Sequence, residues 1–114
     1  MLAYSQKEFN YEVQRAIDGI ICGITGPDVV NSLHKYLKAQ YGITPDELPY
    51  RVNTLFEILE KTFGVLGAKT LTRAIAREVY YRYNIDFRAF DGYTLQDYLE
   101  QAKRILQQAA QVAT

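Results

Sequence analysis

One stretch of this 114-residue chain gathers the side chains best suited to chemistry. Lys69, Arg73 and Arg77 stand at four-residue intervals, and Tyr80, Tyr81, Arg82 and Arg88 follow them. On a helix the four-residue spacing puts the three cations on one stripe. Lys69 and Arg73 have no acid at the matching positions of that helix. Arginine mixed with tyrosine is enriched at the energetic centres of protein interfaces. The same mixture holds phosphates and stacks on bases. The seven residues from Lys69 to Arg88 are therefore the candidate binding site, for a protein or for nucleic acid. The competing reading is a solvated face whose charges meet acids on other helices. Residues 61–88 carry six bases (Lys61, Lys69, Arg73, Arg77, Arg82, Arg88) against two acids (Glu78, Asp86), although the whole chain balances 13 bases with 13 acids. A neutral domain lacks the basic footprint of a strong nucleic-acid binder. A protein partner, with a second copy of the chain as the expected one, ranks ahead of nucleic acid.

Catalytic and metal chemistry find little to work with. The single histidine, His34, has no second histidine or cysteine nearby in sequence and reads as structural or surface. Cys22 lies in the apolar run Gly19 to Gly23, with no basic setting to lower a thiol pKa, and reads as a small buried hydrophobe. The pairs Glu8/Glu12 and Glu57/Glu60 read as solvated helix faces. The segment Phe63 to Lys69 has two glycines but neither phosphate-loop nor dinucleotide spacing. It reads as an interhelical turn in which Gly64 caps and Gly67 allows close approach, with an anion site before Lys69 as the lesser alternative. No catalytic residue, metal ligand or cofactor is assigned. An enzyme or small-ligand binder built on His34 or the 64–69 turn ranks last.

The elements that must position these residues are helices. Ser5 to Glu8, Thr44 to Glu47 and Thr94 to Asp97 each fit a capping box. The flanking pairs Tyr4/Phe9, Ile43/Leu48 and Tyr93/Tyr98 fit hydrophobic staples. Apolar residues recur at helical period in five stripes. They are Phe9 to Ile20, Val29 to Tyr41, Val52 to Phe63, Leu71 to Tyr83 and Leu95 to Ala109. Stops are expected at Gly23, Gly42, Gly64 and Asn84, a restart at Gly26-Pro27-Asp28 and a turn at Asp91-Gly92. Residues 79–87 crowd four aromatics and give the one rival for a strand. The expectation is one all-α domain over 1–114, a compact bundle of four to five helices with the basic face on the 65–83 helix. The ten tyrosines exceed what a domain this small buries cheaply and point to an interface. Apolar runs are too short to span a membrane, and the start Met1 to Ser5 lacks signal-peptide character, so a cytoplasmic location is expected.

The middle of the chain resembles a known family. Leu37 to Ile85 reads Leu-x3-Tyr-Gly-Ile, then a Thr-Pro-x-Glu-Leu-Pro turn, then a Leu-x3-Leu-x3-Phe-Gly helix, then Gly-Ala-Lys-x-Leu and a further helix. Tyr41-Gly42-Ile43 and the Phe63-Gly64 to Ala68-Lys69 segment carry most of the likeness. The pattern resembles the Nitrosopumilus-type archaeal output domains, small helical units associated with two-component signalling. That likeness implies an output or adaptor role without catalysis, and carries over no catalytic residue. No receiver or kinase domain accompanies it in these 114 residues.

Overall fold

The computed structural model describes residues 4–112. Met1 to Ala3, part of the leader reading, and the last two positions of the 1–114 domain lie outside the described residues. The chain order is α1 (Gln6–Thr25), α2 (Pro27–Tyr41), a 3-10 turn (Pro45–Tyr50), α3 (Val52–Arg82) and α4 (Leu95–Val112). The fold is all-α, with no strand among the described residues. The crowded aromatics of 79–87 finish a helix and begin an irregular segment.

The caps form where the side chains allow them. Ser5 Oγ accepts the Glu8 N–H at 3.3 Å. The Thr44 N–H donates to Glu47 Oε1 at 3.0 Å. That bond, followed by one from the Thr44 hydroxyl, holds the Glu47 carboxyl below its usual pKa. Thr94 and Asp97 satisfy each other reciprocally, Thr94 N–H to Asp97 Oδ2 at 2.9 Å and Asp97 N–H to Thr94 Oγ1 at 3.2 Å. Gly42 (φ 67°) and Asn84 (φ 56°) take the left-handed conformation that ends α2 and α3. Around Asn84 the Ile85 N–H reaches back to Tyr80 O at 2.9 Å and the Asn84 N–H to Tyr81 O at 3.2 Å, the paired bonds of a Schellman motif.

One expected stop fails. Gly23 lies inside α1, which continues to Thr25. A glycine inside a helix weakens it but does not end it. The chain leaves the helix at Gly26 (φ 94°), whose N–H closes on Cys22 O at 2.8 Å.

α3 is a hairpin rather than a rod. Gly64 has φ 79° and ψ 173° inside it. A straight helix would separate Val52 from Thr72 by about 30 Å, at 1.5 Å per residue. Both instead line one cavity, so the chain reverses at Gly64. The arms, 52–63 and 65–82, are the third and fourth stripes expected from sequence. The turn is tight: a Cβ on Gly67 would stand 2.8 Å from Phe63 Cβ, which explains the glycine there.

The core joins α1 (Phe9, Val13, Ile17), both arms of α3 (Leu55, Leu59, Ile75, Val79) and α4 (Leu95, Leu99, Ala102). Leu48 of the 3-10 turn plugs one side. Ala16, Ala68, Ala76 and Ala102 are fully buried; their small size lets helix backbones approach closely. The α2 stripe departs from expectation. Leu37 is buried, Val30 and Leu33 are half-buried, and Val29 and Tyr41 are exposed. α2 packs on α1, and its side toward α3 opens onto a cleft. Cys22 is likewise half-buried rather than enclosed. No helix among the described residues is long and apolar enough to cross a membrane.

Candidate functional site

The second arm of α3 and the segment after it carry the seven residues singled out from sequence, but the fold divides them. Tyr80 and Tyr81 are neighbours in the chain; Tyr80 is 2% exposed and Tyr81 77%. Tyr80 turns into the bundle, where its hydroxyl donates to Tyr98 O at 2.7 Å and reaches Gln101 Oε1 at 3.2 Å. Burial, reinforced by the nearby phenols of Tyr93 and Tyr98, pushes its pKa up to about 12. Tyr80 is thus core, and its place in the candidate site is corrected: the helical step of 100° puts it on the Ile75–Ala76–Val79 side. Arg82 is spoken for as well. Its guanidinium donates from Nη1 to Glu12 of α1 at 2.7 Å and from Nε to Glu78 at 2.9 Å. These carboxylates, Glu12 first, raise its pKa further. At Arg82 the charge does meet an acid on the first helix. Arg77 lies over the Phe87 ring, 5.3 Å from its centroid.

Arg77 is exposed nonetheless, and Lys69, Arg73, Tyr81 and Arg88 are on the surface with it. The side chains of Lys69 and Arg73 make no hydrogen bond or ion pair among the described residues. They face a cavity of about 680 Å³ whose other walls include Glu57, Asp91 and Tyr93. The segment 83–94 that supplies Tyr93 is held by rings: Phe87 meets Tyr80 edge-on at 5.3 Å and Tyr98 at 5.1 Å. The Tyr98 hydroxyl accepts the Phe90 N–H at 2.9 Å, fixing the end of this segment on α4.

A second surface was not singled out from the sequence. A cleft of about 390 Å³ runs between α2 and the first arm of α3, walled by Ile21, Val29, Leu33, Tyr36, Ile58 and Phe63. Beside it the hairpin tip presents Val65 and Leu66, the latter 80% exposed. Ile24, one helical turn beyond Ile21, is exposed too. The sequence signal was present in Val65-Leu66: two apolar residues at a turn, where polar ones are usual.

The single histidine is tied into the bundle. His34 Nε2 and Asp18 Oδ1 are 2.8 Å apart, tying α2 to α1. Among the described residues no group of three or more His, Cys, Asp or Glu side chains could hold a metal ion. Six of the tyrosines (Tyr11, Tyr36, Tyr41, Tyr50, Tyr81, Tyr93) are exposed, so the surface surplus expected from composition exists. They are spread over several elements rather than forming one patch. No family model, characterised protein or solved structure matches this chain, so the archaeal likeness stands on its quoted motifs alone.

Proposed function

We propose that this chain is a non-catalytic interaction domain that pairs with a second copy of itself through the α2–α3 cleft and the hairpin tip. The observation behind this is a hole beside a knob. The cleft takes up about 390 Å³, and Val65 and Leu66 project from the tip that begins directly after its Phe63 wall. A two-fold axis through such a patch sets each tip over the other copy's cleft, the self-complementary arrangement of a symmetric dimer. The formal net charge of zero removes the long-range repulsion that keeps many domains apart. A stable dimer buries about 800 Å² per partner, roughly a tenth of the 7339 Å² surface. The output or adaptor role implied by the archaeal likeness is consistent with a module of this kind.

Sedimentation across a concentration series tests the reading. The expected result is a dimer that Leu66→Asp and Val29→Asp each convert to a monomer with unchanged helical circular dichroism. Both residues are exposed, so neither change burdens the core. A wild-type chain still monomeric at about 1 mM, where a contact worth about 4 kcal/mol is half populated, refutes self-pairing.

A further inference from the structure

The cavity at Lys69 and Arg73 shares no wall residue with the α2–α3 cleft. Its volume of about 680 Å³ falls within the ~300–1,000 Å³ typical of small-molecule sites. The α3 hairpin builds it, since Asn53, Phe56 and Glu57 come from one arm and Lys69 and Arg73 from the other. The end of the 83–94 segment closes it with Asp91 and Tyr93. Asn53 Nδ2 donates to Gln96 Oε1 at 2.6 Å and ties the first arm to α4 at the rim.

Three chemistries meet there. Lys69 and Arg73 offer two cations one turn apart with no internal partner. Phe56, half-buried, and Tyr93, exposed, offer aromatic surface. Glu57 and Asp91 are acceptors without an ion pair of their own among the described residues. The hydroxyl of Thr72 is already used on Ala68 O at 2.9 Å. The first-turn amides of α4 are partly satisfied by the Thr94–Asp97 box, so the cations rather than the helix end attract an anion. A simple anion would leave the acids and rings idle, and the two carboxylates would oppose it. A ligand matching all three walls joins an anionic group to a planar ring through a carrier of hydroxyl donors.

We infer that this cavity binds a nucleoside monophosphate unit, its phosphate held by Lys69 and Arg73, its base against Tyr93 and Phe56, and its sugar hydroxyls donating to Glu57 or Asp91. Base–aromatic stacking tolerates any base because each has a π-face, and charge-assisted hydrogen bonds to a phosphate are stronger than neutral ones. The free nucleotide is favoured over a strand because the chain has zero net charge, whereas strand binding draws mostly on excess positive charge.

Calorimetric titration of the full chain with AMP, GMP, CMP and UMP tests this, with inorganic phosphate, the nucleosides and an eight-nucleotide oligomer as further arms. The expected result is saturable binding of at least one monophosphate, with its nucleoside and inorganic phosphate each binding at least tenfold more weakly. Lys69→Ala/Arg73→Ala and Tyr93→Ala should each lower that affinity about tenfold or more. All three residues are exposed, and helical circular dichroism confirms that the variants fold. Absence of monophosphate binding at millimolar concentration, or binding indifferent to these substitutions, overturns the inference. So does tight oligomer binding that falls steeply with salt while the monophosphates do not bind, which would mark a strand-binding surface. Leu66→Asp leaves this cavity intact, so nucleotide binding by that variant separates the two readings.

Discussion

The same chemical change at two glycines should move stability in opposite directions. Gly64 holds φ 79° and ψ 173° at the hairpin tip, and a Cβ there would meet nothing within 4 Å. The penalty for Gly64→Ala is therefore backbone strain without an added clash. This region of conformational space is essentially reserved for glycine, and a residue forced into it costs about 1–3 kcal/mol. Gly23 is the opposite case: helical, exposed and equally free of neighbours within 4 Å. Gly23→Ala removes unfolded-chain entropy without strain and should stabilise by about 0.5–1 kcal/mol. With an unfolding entropy of about 2.1 cal/mol/K per residue, 114 residues give roughly 0.24 kcal/mol/K. Gly64→Ala should then lower Tm by about 4–12 °C, and Gly23→Ala should raise it by about 2–4 °C. Thermal melts followed by circular dichroism, at a protein concentration low enough to keep self-association out of the balance, read both. An unchanged or higher Tm for Gly64→Ala would refute the hairpin turn at that residue. A loss of stability in Gly23→Ala would refute the continuation of α1 through it.

Three further outcomes follow from the packing around α3. Tyr80→Phe removes the bond to Tyr98 O and should cost about 1 kcal/mol at neutral pH. Because the folded Tyr80 pKa is raised to about 12, the unfolded chain gives up this proton first. The associated stability is intact below pH 10 and disappears between pH 10 and about 12, on the order of 2–3 kcal/mol. Denaturant titrations over that range should show a shallower alkaline decline in Tyr80→Phe, and an identical decline counts against burial of this phenol. Arg82→Ala breaks the contacts to Glu12 and Glu78; with all three partners a quarter to a third exposed, the loss should be about 1 kcal/mol or less and should shrink with added salt. Asn84→Ala puts an alanine at φ 56° and should cost about 1 kcal/mol, while Asn84→Gly should be within about 0.5 kcal/mol of the parent by chemical denaturation.

The sequence by itself determined the helices. Ser5, Thr44 and Thr94 mark starts because a side-chain oxygen two or three residues from an orphan N–H is a local arrangement, complete before any tertiary contact. Gly42, Gly64 and Asn84 mark ends for the same reason: a positive φ is a property of the residue. The hairpin turn at Gly64–Gly67 was legible on this basis, and so was the all-α class. Gly23 misled because glycine permits a stop without requiring one, and the helix ran on to Gly26. Tertiary structure decided which side of each helix met the core. Tyr80 and Tyr81 are equivalent in type and adjacent in the chain, yet only packing against α4 buries the first and leaves the second in water. Arg82 found Glu12 across 70 residues, a pairing no local pattern encodes. The α2 stripe had a good helical period, but period says only that a face is apolar. That part of this face stays open as a cleft beside Phe63 follows from where the first arm of α3 lies against α2. Lys69 and Arg73 survive as candidates because the fold brought no acid within ion-pairing distance of them.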